Sequence, residues 1–468
     1  MGTEACLRMM WDNLLYTDRT GSGTYHPALA KSWDIAPDGL SWTFYLREDV
    51  FWSDGNPFNA DDVVYSCNRV DENRDELVYI ASYFPQYDSV EKINEYTVKI
   101  NFKEPFPLAG NAFRAFFIIP KVAHEQYGDD LFNLQICTGT GPWKIVEWVT
   151  GQYIHYEKNE NYYDKANFDS YFDEVYIRFV TEPATGVAAH LSGSLDVYCP
   201  SGGINNDYLS MYAGTEDRIE MIGQATNQNA YLAVQCKPES ILSDMNVRKA
   251  LSLSIDRQLI VDTIFGGFGS TPSGYFAPGV IGYDPSVPPY EYNPALAKQL
   301  LDASAYNGEP LEIMINPNLT RGMDMMLAVA DMANSVGFNI SVKLEETTVF
   351  NTRRAEADWD FFGMQVSFID GIPARQFNLI LNDPEKRNYV DEEMNSLIRR
   401  FNSEMSVDGR QSLAAQINRM LVDKVGPDIV ILHFTNNYAR NRGMTGRDFF
   451  YPDGTFCVAF VDYDPSMA

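Results

Sequence analysis

Strands and helices alternate between residues 293 and 366, and this alternation constrains the fold more than any other part of the sequence. Asn293 followed by Pro294 is a favoured helix start, because the amide caps the helix and proline suits its first position. Strand and helix patterns then follow in turn at 311–315, 322–336, 338–344, 348–357 and 359–366. Strands that alternate with helices of this length predict a parallel or mixed sheet covered on both faces.

The first part of the chain predicts a β-rich unit with a helix or two. Residues 96–102 alternate cleanly, and a helix pattern over 60–70 follows Asn59, which is a suitable N-cap. A further strand pattern near the end, at 429–434, would allow the tail to return to the first block. The chain would then form two lobes joined by two crossovers, and a cleft between lobes is a preferred place for a ligand.

The charge excludes one class of partner. The chain has 468 residues and a formal net charge of −28. Nucleic-acid binding requires clustered lysine and arginine, so no nucleic-acid partner is predicted. No stretch approaches the roughly 18 apolar residues of a membrane-spanning helix.

Catalytic and metal motifs are absent from the sequence. It lacks the GxSxG, HExxH and GxxxxGK[ST] patterns, and none of its five histidines has metal-ligand spacing to another. The six cysteines form no CxxC pair, so buried free thiols are expected, with one disulfide left open. We therefore predict a binding protein with no metal and no cofactor, and not an enzyme.

Four segments resemble a known family. They are 28–66, which includes WSDGNPFNADDVVYS; 139–143, GTGPW; 246–257, NVRKALSLSIDR; and 293–301, NPALAKQLL. Their order and spacing are similar to those of the family 5 extracellular solute-binding proteins of bacterial ABC importers, which include oligopeptide, dipeptide and nickel binders.

The resemblance implies an α/β fold of the type II periplasmic-binding-protein kind, with a discontinuous first lobe and an inserted β-rich subdomain. The expected divisions are first-lobe pieces at 1–25, 138–226 and 431–468, the inserted subdomain at 26–137 and a second lobe at 227–430. Closure of the two lobes on a ligand is then expected, since hinge closure is a known class of transition.

The resemblance also implies site residues. Ser367, Phe368 and Asp370 match the segment in which relatives hold a ligand ammonium with an aspartate, although the usual tryptophan is Ser367 here. Asp12 matches an acidic residue that can face the cleft. Three arginines near the same region are candidates for a ligand carboxylate, because a guanidinium binds a carboxylate with two hydrogen bonds: Arg353, Arg354 and Arg375.

The family implies a peptide as the first choice of solute, with an oligosaccharide or a nickel complex as alternatives. The implied partners are ABC permease subunits. The protein would be a monomer, periplasmic or attached to the bacterial cell surface by a lipid anchor. An alternative of another class is a peptide-sensing receptor that does not transport.

Overall fold

The structure is a computed structural model that describes most of the chain. The described residues are 3–17, 24–74, 76–81, 83–84, 86–128, 138–166, 168, 170–200, 203–317, 319–368, 371–374, 376–377, 389–446, 459 and 461–467. Within them, no helix combines the length and the apolar composition needed to cross a membrane.

The first part of the chain builds a small antiparallel sheet with helices beside it. Its elements are α1 (Thr3–Met10), β1 (Leu15–Thr17), β2 (Tyr25–Pro27), β3 (Ala30–Ile35), β4 (Ser41–Leu46), α2 (Ala60–Glu72), α3 (Val78–Ala81), β5 (Tyr87–Asn94), β6 (Thr97–Phe102), α4 (Ala109–Ala115) and α5 (Lys121–Tyr127). The sheet order is β3-β4-β6-β5. Alternate residues of β4 and β6 are buried, as the alternation at 96–102 predicted for β6. The predicted cap is confirmed, because Asn59 and Asp62 form a reciprocal capping box.

A second group of strands follows. Its elements are β7 (Trp143–Val149), β8 (Tyr153–Lys158), β9 (Glu174–Arg178), α6 (Pro183–Leu191), β10 (Val197–Tyr198), α7 (Asn206–Leu209) and a 3₁₀ turn at Ser210–Tyr212. Strands β7, β8 and β9 form an antiparallel sheet. The phenol of Tyr156 donates to the carbonyl of Cys6, which attaches this sheet to α1.

The third part contains the largest sheet. Its elements are β11 (Ile219–Val234), a 3₁₀ turn at Ile241–Ser243, α8 (Met245–Ser254), α9 (Arg257–Thr263), β12 (Gly269–Ser270), α10 (Pro294–Asp302), β13 (Leu311–Ile315), α11 (Gly322–Val336), β14 (Ile340–Leu344), α12 (Thr347–Ala355), β15 (Phe361–Ser367), α13 (Glu392–Ser403), α14 (Val407–Lys424) and β16 (Asp428–Asn441). The chain then forms β17 (Met444–Gly446), β18 (Val461–Tyr463) and a 3₁₀ turn at Pro465–Met467.

The large sheet is mixed and is covered on both faces, as the sequence predicted. Its order is β10-β16-β11-β15-β13-β14, and β13 is parallel to both β14 and β15. Ile313 belongs to the core that contains Met326 of α11, whereas Met314 points to the other face with Phe350 of α12. Full burial of a side chain such as Phe350 stabilises the fold by about 1.5–3 kcal/mol.

Two long strands connect two parts of the molecule. The first half of β11 pairs with the second half of β16, and the register shifts between Ala225 and Asn229. Beyond that shift, β11 also pairs with β15. We call residues 225–229 and 433–437 the crossover. Among the described residues, those within 230–432 form the second lobe, those within 28–128 the inserted subdomain, and those within 3–27, 138–224 and 438–467 the first lobe.

The predicted domain boundaries stay predictions, but two of them fall inside these strands. The boundary at 226/227 lies in β11 and the boundary at 430/431 lies in β16. The first lobe and the inserted subdomain share one hydrophobic core, whereas the second lobe has its own. Four cysteines in the described part are free thiols, namely Cys6, Cys67, Cys199 and Cys236. Cys137 and Cys457 lie outside the described residues.

Candidate ligand site between the lobes

The crossover is held by buried polar side chains. The hydroxyl of Thr226 donates to the carbonyl of Phe434 at 2.9 Å. Asn229 donates to the carbonyl of Tyr275 and contacts Nδ1 of His433 through its amide oxygen. Burial lowers the pKa of His433 to about 4, so this imidazole is neutral at pH 7. These contacts fix the two strands at the point where their register shifts.

A cavity of about 360 Å³ lies beside the crossover and is walled by both lobes. The first lobe contributes residues of α6, Tyr198 of β10, Asn205 before α7 and Tyr208 within α7. The second lobe contributes Phe265, Phe268, Leu319, Thr320 and Arg321, and the crossover contributes Phe434, Thr435 and Asn437. Mostly apolar walls with a few polar groups are typical of small-ligand sites of this size.

Arg321 is a cation in the wall of this cavity. It follows the carboxyl end of β13, the edge of a parallel sheet at which ligands bind. Its Nη1 donates to the carbonyl of Ile264 at 2.6 Å, and its Nε lies 3.6 Å from a carboxylate oxygen of the exposed Asp324. With these contacts, the guanidinium is oriented but is not enclosed by acidic groups of the described chain.

The backbone at Arg321 is also unusual. Its φ of +50° lies in the left-handed region, which non-glycine residues seldom adopt and which is enriched at functional positions. Arg321 is the N-cap residue of α11 and makes no side-chain cap. The amino end of α11 therefore adds its partial positive charge to that of the guanidinium, and the two together favour an anionic group.

Asp12 lies in the first lobe and is buried. The side chain is 8% exposed, and its Oδ2 has no hydrogen-bond partner among the described residues. Its backbone N–H donates to the hydroxyl oxygen of Thr140 at 3.3 Å. Burial raises the pKa of Asp12 to about 7, against the opposing effect of the Thr140 side chain. A carboxyl with such a pKa is poised to ionise when a cation approaches it.

The matched segment after β15 is only partly described. Phe368 is 2% exposed and packs edge-on against Tyr275 and Phe276, so its ring belongs to the second-lobe core. Its carbonyl accepts a hydrogen bond from the crossover residue Asn227. Asp370 and Arg375 lie outside the described residues. The ligand-binding roles of all three stay predictions.

Arg353 and Arg354 lie on α12, away from the cavity. Arg353 Nη1 is 2.7 Å from carboxylate oxygens of both Glu312 and Glu345, and its Nε is 3.5 Å from Asp358. These acidic partners already neutralise the guanidinium that the sequence suggested for a ligand. Arg354 Nη1 lies 3.7 Å from the sulfur of Met364. The structure does not place either arginine beside Arg321.

The inserted subdomain touches the second lobe at a point away from the crossover. Leu108 is buried in the second-lobe core, and Phe106 packs against both hydrophobic cores. A methyl group at Gly39 would lie 3.5 Å from the sulfur of Met405, which shows how close the two surfaces are. The lobes are therefore in contact through the inserted subdomain as well as through the two long strands.

The sequence reasoning missed Arg321 and the crossover polar residues. One available signal was the position of Arg321 between the carboxyl end of a predicted parallel strand and a predicted helix start. The polar residues of the crossover gave no comparable signal, because asparagine and threonine in a strand do not reveal their burial.

Comparison with known proteins agrees with this arrangement. Residues 24–388 match the family described as bacterial extracellular solute-binding proteins, family 5. Among curated proteins, the chain is 28% identical to heme-binding protein A of Haemophilus influenzae over 68% of its length and 27% identical to the periplasmic oligopeptide-binding protein OppA of the same organism over 71%. The matched stretches cover 62% and 66% of those relatives, which is less than two thirds of each.

A solved structure has a similar fold. The crystal structure of a putative peptide-binding protein, AppA, from Clostridium difficile superposes with a TM-score of 0.86 at 20% identity. The superposition covers 98% of the present chain and 96% of that protein. Such a low identity establishes the two-lobed α/β architecture alone.

Proposed function

The chain belongs to the family 5 bacterial extracellular solute-binding proteins, and we propose that it binds a peptide between its lobes and delivers it to the permease of an ABC importer. The observation that supports this most is the cavity whose wall is assembled from the first lobe, the crossover and the second lobe. A ligand in such a cavity contacts both lobes at once. Its binding therefore favours the closed arrangement over the open one.

The second-lobe wall is suited to a carboxylate. The Arg321 guanidinium and the amino end of α11 offer positive charge within the same wall. A guanidinium can donate two parallel hydrogen bonds to a carboxylate, which adds orientation to the attraction. We propose that Arg321 holds the ligand carboxylate, while the rings of Phe265, Phe268 and Phe434 contact its apolar part.

The ligand ammonium requires an acidic partner. Asp370 is the proposed anchor from the family pattern. Asp12, which lies outside the wall of the cavity, is the second candidate, because its buried Oδ2 has no described partner. The two differ in a measurable way. Asp12, with a pKa of about 7, is half protonated at neutral pH and would release a proton when an ammonium binds.

We propose that this chain acts by binding and performs no chemistry on its ligand. The family to which it belongs consists of solute-binding proteins. We further propose that it works outside the cytoplasm as a monomer, either in the periplasm or held at the cell surface by a lipid anchor.

The deciding experiment is calorimetric titration of the purified chain with short peptides, oligosaccharides and nickel–histidine complexes. Binding of a free peptide, with loss of affinity when its carboxyl terminus is amidated, would support the proposal. Binding of oligosaccharides or nickel complexes alone would refute the peptide assignment. Native mass spectrometry beforehand would identify any ligand that copurifies, which must be removed first.

Two variants and a change of buffer complete this test. Proton release at pH 7, measured by repeating the titration in buffers of different ionisation enthalpy, would support Asp12 as the ammonium partner if it is lost in Asp12→Asn. Proton release that is unchanged in that variant would count against Asp12. Peptide affinity should then distinguish the two variants Asp370→Asn and Asp12→Asn. The variant at the residue that binds the ammonium should lose affinity, and the other should not. Stimulation of the importer's ATPase by the peptide-loaded chain would support delivery, whereas peptide binding without stimulation would favour a sensing receptor.

A further inference from the structure

The outer face of the β7-β8-β9 sheet contains a cluster of potential metal ligands. Strand alternation buries Ile154 and Tyr156 and directs His155 and Glu157 to the opposite side of the sheet. In the antiparallel register, Glu174 of β9 stands directly opposite Glu157, and Tyr176 stands opposite His155. This cluster lies in the first lobe, and none of its residues is in the wall of the interlobe cavity.

The three side chains are close enough to share one ion. One ligand atom from each of His155, Glu157 and Glu174 lies within 4.8 Å of the other two. Nε2 of His155 is 3.3 Å from a carboxylate oxygen of Glu174 and has no hydrogen-bond partner among the described residues. Its side chain is only 12% exposed.

The imidazole is held in position before any ion arrives. The His155 ring stacks on Tyr176 with 4.2 Å between centroids and an angle of 3° between planes. Both residues lie on hydrogen-bonded strands, so the ring cannot turn away without losing this contact. A fixed ligand costs less ordering entropy when it binds, and metal sites are more precise on strands than on loops.

The charges of the cluster are incompletely balanced. Two glutamates directly opposite each other on neighbouring strands repel, and Lys144, 3.6 Å from Glu157, compensates for one of them. A bound cation would relieve this repulsion.

We propose that His155, Glu157 and Glu174 form a binding site for a divalent first-row transition-metal ion of the Zn²⁺ type. Imidazole nitrogen and carboxylate oxygen are ligands that Zn²⁺ accepts, and three protein ligands leave one tetrahedral position for water. Because His155 and Glu157 are on β8 and Glu174 is on β9, the ion joins the edge strand of the sheet to its neighbour. The strongly acidic chain also attracts cations to its surface.

The test is calorimetric titration of the full chain with Zn²⁺, repeated with Co²⁺ while its visible absorption is recorded. We expect one ion per chain at this cluster. The Zn²⁺ affinity should fall in His155→Gln and in Glu174→Gln. Loss of an outer partner of a metal ligand lowers the affinity by roughly 10–100-fold, and loss of a ligand itself should lower it further. Glu174 is 54% exposed, so its variant is expected to fold even if the His155 variant does not.

The matched control is His26→Gln, which removes an exposed histidine from β2. This variant and Arg321→Ala should bind Zn²⁺ as the parent chain does. Equal Zn²⁺ affinity in the parent chain, His155→Gln and Glu174→Gln would overturn the proposal. So would a Co²⁺ spectrum that disappears in His26→Gln and persists in Glu174→Gln.

Discussion

The two ends of the second lobe each contain an arginine close to strand β13, and the two arginines have opposite surroundings. Arg321, at the carboxyl end, faces a cavity beside the amino end of α11. Arg353, near the amino end, lines a separate groove with Asp358 and Asp360 and is paired with two glutamates. The same side chain is therefore open to an anionic ligand at one end and neutralised by the protein at the other. Partners, not residue type, determine whether an arginine can bind a ligand.

The largest effect that we expect from the difference between the two arginines is on ligand affinity. Arg321→Ala should weaken peptide binding by about 2–5 kcal/mol, at least roughly 30-fold in Kd, because the ligand carboxylate is left buried without its partner. Calorimetric titration measures this loss. Arg354→Ala is the matched control, since it removes an arginine from the same lobe outside the cavity wall. Equal losses in both variants would contradict the assignment.

A second effect concerns the crossover beside the cavity. Because the pKa of His433 is lowered to about 4, the unfolded chain binds a proton more readily than the folded chain between pH 6.5 and pH 4. The free energy of unfolding should therefore fall as the pH falls through this window, by up to about 3 kcal/mol from this group. Urea unfolding at several pH values measures it.

In His433→Gln this part of the pH dependence should be missing. A slope in that window as steep as in the parent chain would show that another group is responsible. At the Arg353 end we expect no fall in the free energy of unfolding caused by a histidine in this pH window, because the described groups that pair with Arg353 are carboxylates.

At the opposite end, Arg353→Ala should reduce stability and leave peptide affinity unchanged. The substitution removes the cation that pairs with Glu312. Glu345 keeps Lys343, at 2.8 Å, as its described cationic partner. Loss of hydrogen bonds between charged groups at a partly buried site costs about 1–3 kcal/mol. Chemical unfolding gives the first result and calorimetry the second. A variant of normal stability but weakened peptide binding would reverse our account of the two ends.

The smallest effect should come from Asp324→Asn. This change removes the exposed carboxylate that lies 3.6 Å from Arg321, so the guanidinium becomes slightly more available to a ligand. Peptide affinity should rise by a few tenths of a kcal/mol, the scale of exposed ion pairs. Raising the salt concentration should reduce the difference between the variant and the parent chain. Weaker binding in the variant would mean that Asp324 itself contacts the ligand.

The fold could be predicted because many of the recognisable residues have structural roles. Arg248 donates from buried positions to the carbonyls of Leu242 and Val425, and Asp62 completes the capping box. Gly139 approaches the Met10 carbonyl so closely that a methyl group there would clash with it at 2.0 Å. Such residues have few substitutes, so they form patterns that can be read along the chain.

The site could not be predicted equally well, because its geometry depends on residues far apart in sequence. The cavity wall combines segments near 183–208, 265–268, 317–321 and 434–437. Arg353 was suggested by its residue type, but its pairing with Glu312, 41 positions away, appears only in three dimensions. Spacing along the chain indicates helices and strands, and it does not indicate which charge is already balanced.

The crossover also affects how this molecule can change during evolution. Asn229 and His433 are paired across neighbouring strands, so the second lobe enters and leaves the first through adjacent points. It is one continuous stretch of chain, and a gene segment that encodes it could be exchanged between relatives by two recombination events. The recipient would keep its first-lobe core and acquire a new ligand-facing wall. Chimaeras joined at these two positions should therefore change the part of the ligand preference that the second-lobe wall sets and keep the part that the first-lobe wall sets.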